Sequence, residues 1–314
     1  MKGCMVRGSA SVDIVILTYG DYSGLERTVD SVIAQDYQIR SVILSDDGSG
    51  AAYPETILRK LERLPFRTIV RAGTENLGTV AHMNRVAALS GGDYLKFIAV
   101  GDAFSDSGAL SALMNFARNQ NAPVVTSNAV VCSADLRRRY YEFPGASRGG
   151  LIQRAQSRLF PVLAQANIIS ALGTLLRKDF FEDLGGFDES YRLLEDWPAW
   201  LRLTRESHAI AYLPRVTGLY ALGGVSSRQG NAFRSPALRR DMLLCYEKEI
   251  LPYLSLLAPK ERRVALYSYD KLRQLPSGVL LRRYFFLAAK DALKQGAKSC
   301  LLKFQSGKEK EASR

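Results

Sequence analysis

Carboxylates stand where apolar runs stop. In YLKFIAVGDAF the run from Tyr94 to Val100 ends at Gly101, and Asp102 follows directly. DIVILT gives way to Tyr19-Gly20-Asp21 after Thr18, and SVILS to Asp46-Asp47-Gly48-Ser49. A further junction reads Gly73-Thr74-Glu75-Asn76-Leu77-Gly78, and an acidic pair, Glu195-Asp196, stands far downstream. Each junction alone reads as turn chemistry, with Asp and Ser bonding to nearby backbone and glycine supplying positive φ. The acidic pair alone reads as the first turn of a helix, where the macrodipole favours negative charge and Pro198 also fits. Laid side by side in a sheet, however, four such junctions share one edge and make a cleft. An acidic cleft repels bare phosphate, so a nucleotide would enter it together with a divalent cation, Mg²⁺ or Mn²⁺. Asp102, on rigid strand-end backbone, is the candidate for that cation. The two common phosphate cradles are missing: no G-x-G-x-x-G follows the first run, and no G-x-x-x-x-G-K-[ST] occurs.

The elements that must carry these residues alternate. Apolar runs at 13–18, 41–45, 67–71, 94–100 and 123–127 are separated by helix-period segments around 25–33, 54–63, 77–90 and from about 107. Short apolar strands alternating with amphipathic helices predict βα units around a mostly parallel sheet, with ligands beyond the carboxyl ends of the strands. The rhythm is lost over 133–165, where RRRYYEFPGASRGG predicts a mobile loop or lid. It returns with a strand over 171–177, a helix from Lys178, a helix holding EDWPAWLRLTR, and strands near 210–213 and 216–221. GGVSSRQGN, with Arg228, predicts a loop closing over donor or acceptor, and the chain from about 235 reads as helical.

At 314 residues and 47% hydrophobic the chain can bury a large core, yet no apolar stretch is long enough to span a bilayer. The start, MKGCMVRGSA, has no apolar h-region, so no signal peptide is expected. Four scattered cysteines without a C-x-x-C pair point to a reducing, cytoplasmic setting, and two histidines make a multi-histidine metal site unexpected. The net charge of +12 is uneven: from Lys260 onward there are 14 Lys/Arg against 5 Asp/Glu, and before it 29 against 26. The basic tail, with Leu280, Leu281, Phe285 and Phe286 beside Arg282, Arg283 and Lys290, suits either an anionic membrane surface or a helix docked on the main body.

Four segments together carry a family resemblance. VDIVILTYGDYSGLERTVDSVIAQDYQIRSVILSDDGS, NLGTVAHMN, YLKFIAVGDAF and GGFDESYRLLEDWPAWLRL, in that order over about residues 12–222, resemble family 2 glycosyltransferases of the GT-A fold. The resemblance implies an α/β fold of GT-A type, a nucleotide-binding, mostly parallel sheet flanked by helices, with a helical basic C-terminal extension. The expected division is a catalytic domain over 1–232, its nucleotide-sugar half about 12–130 and its acceptor half about 131–232, and a helical region over 233–314. It implies inverting transfer of a sugar, of the hexosyl class, from a nucleotide-sugar, with uracil the expected base, to a glycan or lipid-linked saccharide of bacterial polysaccharide type. Thr18, Tyr19, Asp47 and Asn76 fall at the donor-binding positions, Asp47 receiving the N–H groups of the base. Asp102 falls at the last acid of the family's D-x-D, facing the metal and diphosphate, and Asp196 at the general base. The chain departs from the pattern at Ala99-Val100-Gly101-Asp102, which keeps one acid, at Gly20 in place of asparagine, and at Met83 in place of arginine.

Trp197 and Trp200 flank the acidic pair, and one is expected in the core and one against a sugar. His82 is expected to be structural, with a cleft-facing ring the alternative. Two other readings stand beside the transferase. A sugar nucleotidyltransferase of related fold would want a basic, glycine-rich first junction, and TYGDYSG has no Lys or Arg. A non-catalytic nucleotide- or glycan-binding module is favoured by the thinned D-x-D. Nucleic acid is not an expected partner, because no recognised motif is present and the acidic edge would repel a phosphate backbone.

Overall fold

The computed structural model describes residues 10–155, 158–223 and 235–293. Strands β1 (Val12–Thr18), β2 (Ser41–Asp46), β3 (Arg67–Ala72) and β4 (Tyr94–Ala99) pair in parallel in the order β3-β2-β1-β4. The crossovers are helices α1 (Leu25–Ile33), α2 (Glu55–Glu62) and α3 (Thr79–Ala87). A short β5 (Ala103–Phe104), α4 (Ala109–Gln120) and β6 (Val124–Cys132) follow. Next come β7 (Arg139–Phe143), α5 (Gly145–Ala155), α6 (Phe160–Leu163), β8 (Leu175–Arg177), α7 (Lys178–Asp183), α8 (Asp196–Arg205) and β9 (Ala211–Ala221). Because β8 lies antiparallel between β4 and β6, and β9 is parallel to β6, six of the nine strands of the described sheet run one way.

Alternation along β1 sorts the core into two layers. Ile14 and Ile16 face α1, α2 and α4, while Val15 faces α3 and α8 with the helices beyond. In α1, Leu25, Val29 and Val32 recur at helical spacing and are fully buried. The register sets Thr18 opposite Asp46, Asp46 opposite Ala72 and Leu17 opposite Ala99, so the four carboxyl ends are level along one edge.

Three readings from sequence are corrected. The stretch 133–165 is not a lid-like loop: it holds β7, α5 and α6, with β7 paired antiparallel to β6. The strand expected over 171–177 is only Leu175–Arg177, because 170–174 form a turn in which Ser170 Oγ accepts from Gly173 N and Thr174 Oγ1 donates to Ser170 O. The strands expected at 210–213 and 216–221 are one, β9, whose pairing with β6 shifts where Pro214 interrupts it. Most of the GGVSSRQGN loop, Arg228 included, lies outside the described residues.

Over the described residues 235–293 the chain is helical: α9 (Pro236–Cys245) runs through a π turn and a 3-10 turn to Leu256, and α10 (Pro259–Leu272), α11 (Ser277–Arg283) and α12 (285–293) follow. Cys245, Tyr246, Ile250, Ala265 and Leu272 join the same core as Trp197 and Trp200. A partly buried ion pair, Arg205 to Glu249 at 2.7 Å, and the Asp241 carboxylate, accepting from Arg192 N at 2.9 Å and Leu193 N at 2.6 Å, fasten the region to the main body.

The opposite edge of the sheet is held by Asp13. Its buried carboxylate accepts from Ser90 Oγ at 2.7 Å and from the Gly91 and Gly92 amides at 2.9 Å each, and pairs with Arg40. Burial pushes its pKa up, but the donors around it prevail and hold it below the ordinary carboxylate value. Such an acid contributes stability above its unfolded pKa and loses it as pH falls through the folded one. Asp13→Asn is expected to cost about 2–3 kcal/mol in urea unfolding at neutral pH, with the difference from wild type shrinking on acidification.

Candidate functional site

Gly101, at φ +93°, turns the chain out of β4 and sets Asp102 against a cavity of about 1140 Å³. The turn is fixed by Thr28, whose hydroxyl donates to Asp102 O at 2.7 Å and accepts from Gly101 N at 3.0 Å. Asp102 is 5% exposed; its Oδ1 accepts from Ala221 N at 2.8 Å, and its Oδ2 makes no hydrogen bond to a described residue. Burial pushes this carboxyl up to about 7, against the Ala221 hydrogen bond and the charges of Lys96 and Arg27. Lys96 is the cation behind it. Its ammonium is buried in the sheet, donates to Phe97 O at 3.0 Å and to Leu172 O, and lies 5.8 Å from the centre of the Phe104 ring. Burial brings its pKa down to about 7, and Asp102 opposes the fall.

The same cavity reaches Glu195 and Asp196. Glu195 occupies the N-cap position of α8, yet its side chain makes no capping hydrogen bond. Asp196 Oδ2 accepts from Asn167 Nδ2 at 2.8 Å and Oδ1 from Trp197 N at 2.6 Å. Desolvation raises both carboxyls, Glu195 to about 8 with the neighbouring Asp196 charge adding to the rise. The hydrogen bond from Asn167 works the other way on Asp196, favouring its charged form. Of the two, Asp196 has the donors that favour its charged form, whereas Glu195 has its neighbour's charge against it, so Asp196 is the acid of the pair that gives up its proton first. Trp197 and Trp200 both line the cavity and both are buried; the Trp197 indole donates to Leu163 O at 2.9 Å, whereas that of Trp200 has no partner among the described residues.

The far wall of the cavity comes from the C-terminal helices, through Leu238, Met242, Tyr246, Tyr267, Lys271 and Leu287. On the near side Met83 lines it, where the family pattern has arginine. The interior is thus apolar and aromatic between a carboxylate end and a C-terminal end.

The four donor-side candidates do not line this cavity; Leu17 and Thr79 do, and the four stand on the strand edge nearby. Tyr19 is 53% exposed there. The other three are engaged within the protein. Thr18 Oγ1 is 3.2 Å from Ser45 O, Asp46 Oδ1 and Tyr53 OH. Asp47 accepts from Leu77 N at 2.9 Å, Gly78 N at 3.0 Å and Asn76 Nδ2 at 3.2 Å, and Asn76 also receives Arg192. Asp46 takes the turn role, accepting from Ser49 N at 2.7 Å, and Gly48 is required because a Cβ there would lie 2.3 Å from the Glu75 backbone. His82 is structural: it is buried, with Nε2 2.8 Å from Ser45 Oγ, and burial lowers its pKa.

Sequence reasoning missed Lys96, Asn167 and Asp241. Lys96 left a signal, a lone charge inside an apolar strand; the others act across 29 and 48 residues and left none.

A description of glycosyl transferase family 2 matches residues 13–185, more than half the chain. The chain belongs to that family. Poly-beta-1,6-N-acetyl-D-glucosamine synthase of Staphylococcus epidermidis is 22% identical over 206 residues, covering 65% of this chain and 48% of the synthase. The Staphylococcus aureus (strain COL) synthase is 23% identical over 204 residues, with the same coverage of 65% and 48%. The chain spans about half the length of these relatives. Among solved structures, a mannosyltransferase from Pyrobaculum calidifontis in complex with GDP-Man and Mn²⁺ superposes with a TM-score of 0.61 at 17% identity, over 92% of this chain and 80% of that one. TarS 1-349 of S. aureus in complex with UDP-GlcNAc gives 0.56 at 13% identity, over 83% and 72%. The fold is the GT-A arrangement expected from the sequence.

A divalent cation can be weighed against the donor set. Among the described residues no three acids, histidines or cysteines cluster as a protein-only cage. One oxygen of Asp102 is available, which fits a hard cation whose other positions are filled by diphosphate oxygens and water.

The proton on Glu195 has a consequence for stability. Its folded pKa of about 8 stands above the reference value of 4.5, so the folded chain binds a proton that the unfolded chain releases between those values. Stability contributed by this group is full at low pH and is lost as pH rises through the window. The urea midpoint is expected to fall from pH 5.5 to pH 8 (, roughly that window), and Glu195→Gln to flatten the slope; an unchanged slope would show that Glu195 is ionised throughout.

Proposed function

We propose that the chain transfers a sugar, with inversion, from a nucleotide-sugar, a uridine diphosphate sugar in the first instance, to a hydroxyl of a saccharide or lipid-linked saccharide. The observation that carries this reading is that one cavity joins Asp102 at the sheet edge to Asp196 on α8. Inversion needs an acceptor hydroxyl to give up its proton on one face of the anomeric carbon while the nucleoside diphosphate leaves from the other. In this reading Asp196 takes the proton, the acceptor oxygen bonds to the anomeric carbon, and the bond from that carbon to the diphosphate oxygen breaks. A carboxylate with a raised pKa is a stronger base than a solvated one, and Asn167 orients it while favouring its charged form. Glu195, raised by burial and by its neighbour's charge, keeps its proton more readily than Asp196, which leaves Asp196 the better placed base of the pair.

Asp102 would hold the divalent cation, whose chemistry is to neutralise charge building on the departing diphosphate. Thr18, Tyr19, Asp47 and Asn76 would receive the nucleoside, Tyr19 with its free ring and the other three by shaping the rim. The C-terminal helices would then set the acceptor, because they supply the wall facing Asp196. The basic C-terminal region would bring the chain to an anionic membrane surface bearing that acceptor, at the inner face of the cell membrane.

Three measurements test the reading. Calorimetric titration with UDP, GDP and dTDP, with and without Mn²⁺, is expected to show one nucleotide whose binding needs both Mn²⁺ and Asp102, and to fail in Asp102→Asn; no binding of any of them would sink the transferase reading. Asp196→Asn is expected to lower transfer by about 10²–10⁴-fold with nucleotide binding kept. Asn167→Ala removes a donor that favours the charged acid, so the acidic limb of the rate–pH profile is expected to move to higher pH.

A further inference from the structure

Helix α12 has two faces with opposite surroundings. At helical spacing, Leu287 and Asp291 point inward and line the cavity. Phe285, Phe286, Ala289 and Leu293 fall on the other side; Phe286 is 78% and Leu293 75% exposed, and the two phenylalanine rings stack edge to face at 5.4 Å. On α11, Leu281 is 45% exposed beside Arg282. Arg282 and Lys290 flank this apolar strip, are exposed, and make no ion pair among the described residues; Lys290 stands at the boundary of the two faces, since it also borders the cavity. The strip stands in the part of the chain that carries 14 Lys/Arg against 5 Asp/Glu.

Exposed aromatic and leucine side chains cost solvation on a free surface, and contiguous ones mark an interaction site. The nature of the partner follows from the ring of charge. A second copy of the chain would bring the same cations face to face, which repels. An anionic bilayer accepts both features at once, apolar side chains into the headgroup boundary and cations against its phosphates.

We propose that the outer face of α11 and α12, centred on Leu281, Phe285, Phe286 and Leu293, docks on an anionic phospholipid bilayer. The same helix then presents its inner face to the cavity, so the docked chain has its acceptor wall at the bilayer surface. Docking here is independent of donor binding and rests on the proposed function only for the acceptor that the surface would supply.

The test is sedimentation of the full chain with vesicles of phosphatidylcholine alone, or mixed with phosphatidylglycerol. Binding is expected with the anionic vesicles, weakened by salt. Phe285→Ser/Phe286→Ser is expected to lower the partition at least about tenfold, and Arg282→Gln/Lys290→Gln by a comparable factor at about fivefold for each charge. All variants should keep the wild-type urea midpoint, since these side chains are exposed. No binding, equal binding to neutral vesicles, or binding that survives the phenylalanine changes and is competed by soluble RNA would overturn the proposal. So would concentration-dependent dimerisation abolished by Phe285→Ser/Phe286→Ser. Nucleotide titration is read separately, so failure of membrane docking leaves the donor reading intact, and failure of donor binding leaves docking intact.

Discussion

A single carboxylate, that of Asp241, joins the two halves of the cavity. It is buried on α9 and takes two successive backbone amides, Arg192 and Leu193, just ahead of the acidic pair. A buried charge is tolerable only when donors surround it, so this contact fixes both partners: the helix cannot retreat without stranding a charge, and the segment cannot move without stranding amides. Everything facing Asp196 from the C-terminal side follows from that docking. The Arg205–Glu249 pair and the shared aromatic packing of Trp197 on Tyr246, 5.4 Å between ring centres, reinforce the same interface.

The cavity also shows how charge is kept where water is scarce. Asp102, Glu195 and Asp196 all have raised pKa values from burial, each moderated differently. Asp102 has a backbone amide and two cations in its field, Asp196 has Asn167 and a helix-terminal amide, and Glu195 has little beyond its neighbour's repulsion. Three carboxyls raised by desolvation therefore differ in how readily they ionise, and for Asp102 and Asp196 the difference comes from groups supplied by distant segments.

Much of the fold was legible because its strands and helices announce themselves by period. DIVILT, SVILS and YLKFIAV are apolar runs of strand length, and α1 repeats Leu25, Val29 and Val32 at helical spacing. Strand β7 was not legible: among the described strands it pairs only with β6 and it lies largely exposed, so its sequence, RYYEF, carries no apolar alternation. Helix α5 buries only Gly149 and Ile152 and shows no stripe. At the site, the positions of Asp102 and Asp196 could be named from sequence, whereas the occupation of Asp47 by Leu77 and Gly78 could not, because a hydrogen bond across 30 residues has no local pattern. Lys96 was readable and overlooked; a charge inside a buried strand asks for a partner, and the carbonyls of Phe97 and Leu172 are that partner.

The occupied state of Asp47 has a consequence in entropy. Its carboxylate, the Gly48 turn packed on Glu75, and the link from Asn76 to Arg192 hold this strand-edge rim in one conformation. A rim that forms its own hydrogen bonds has little conformational freedom left to surrender on binding, so contact energy made there does not go into ordering the loop. Such an edge behaves as a template, and whatever adaptation ligand binding requires must come from other parts of the molecule.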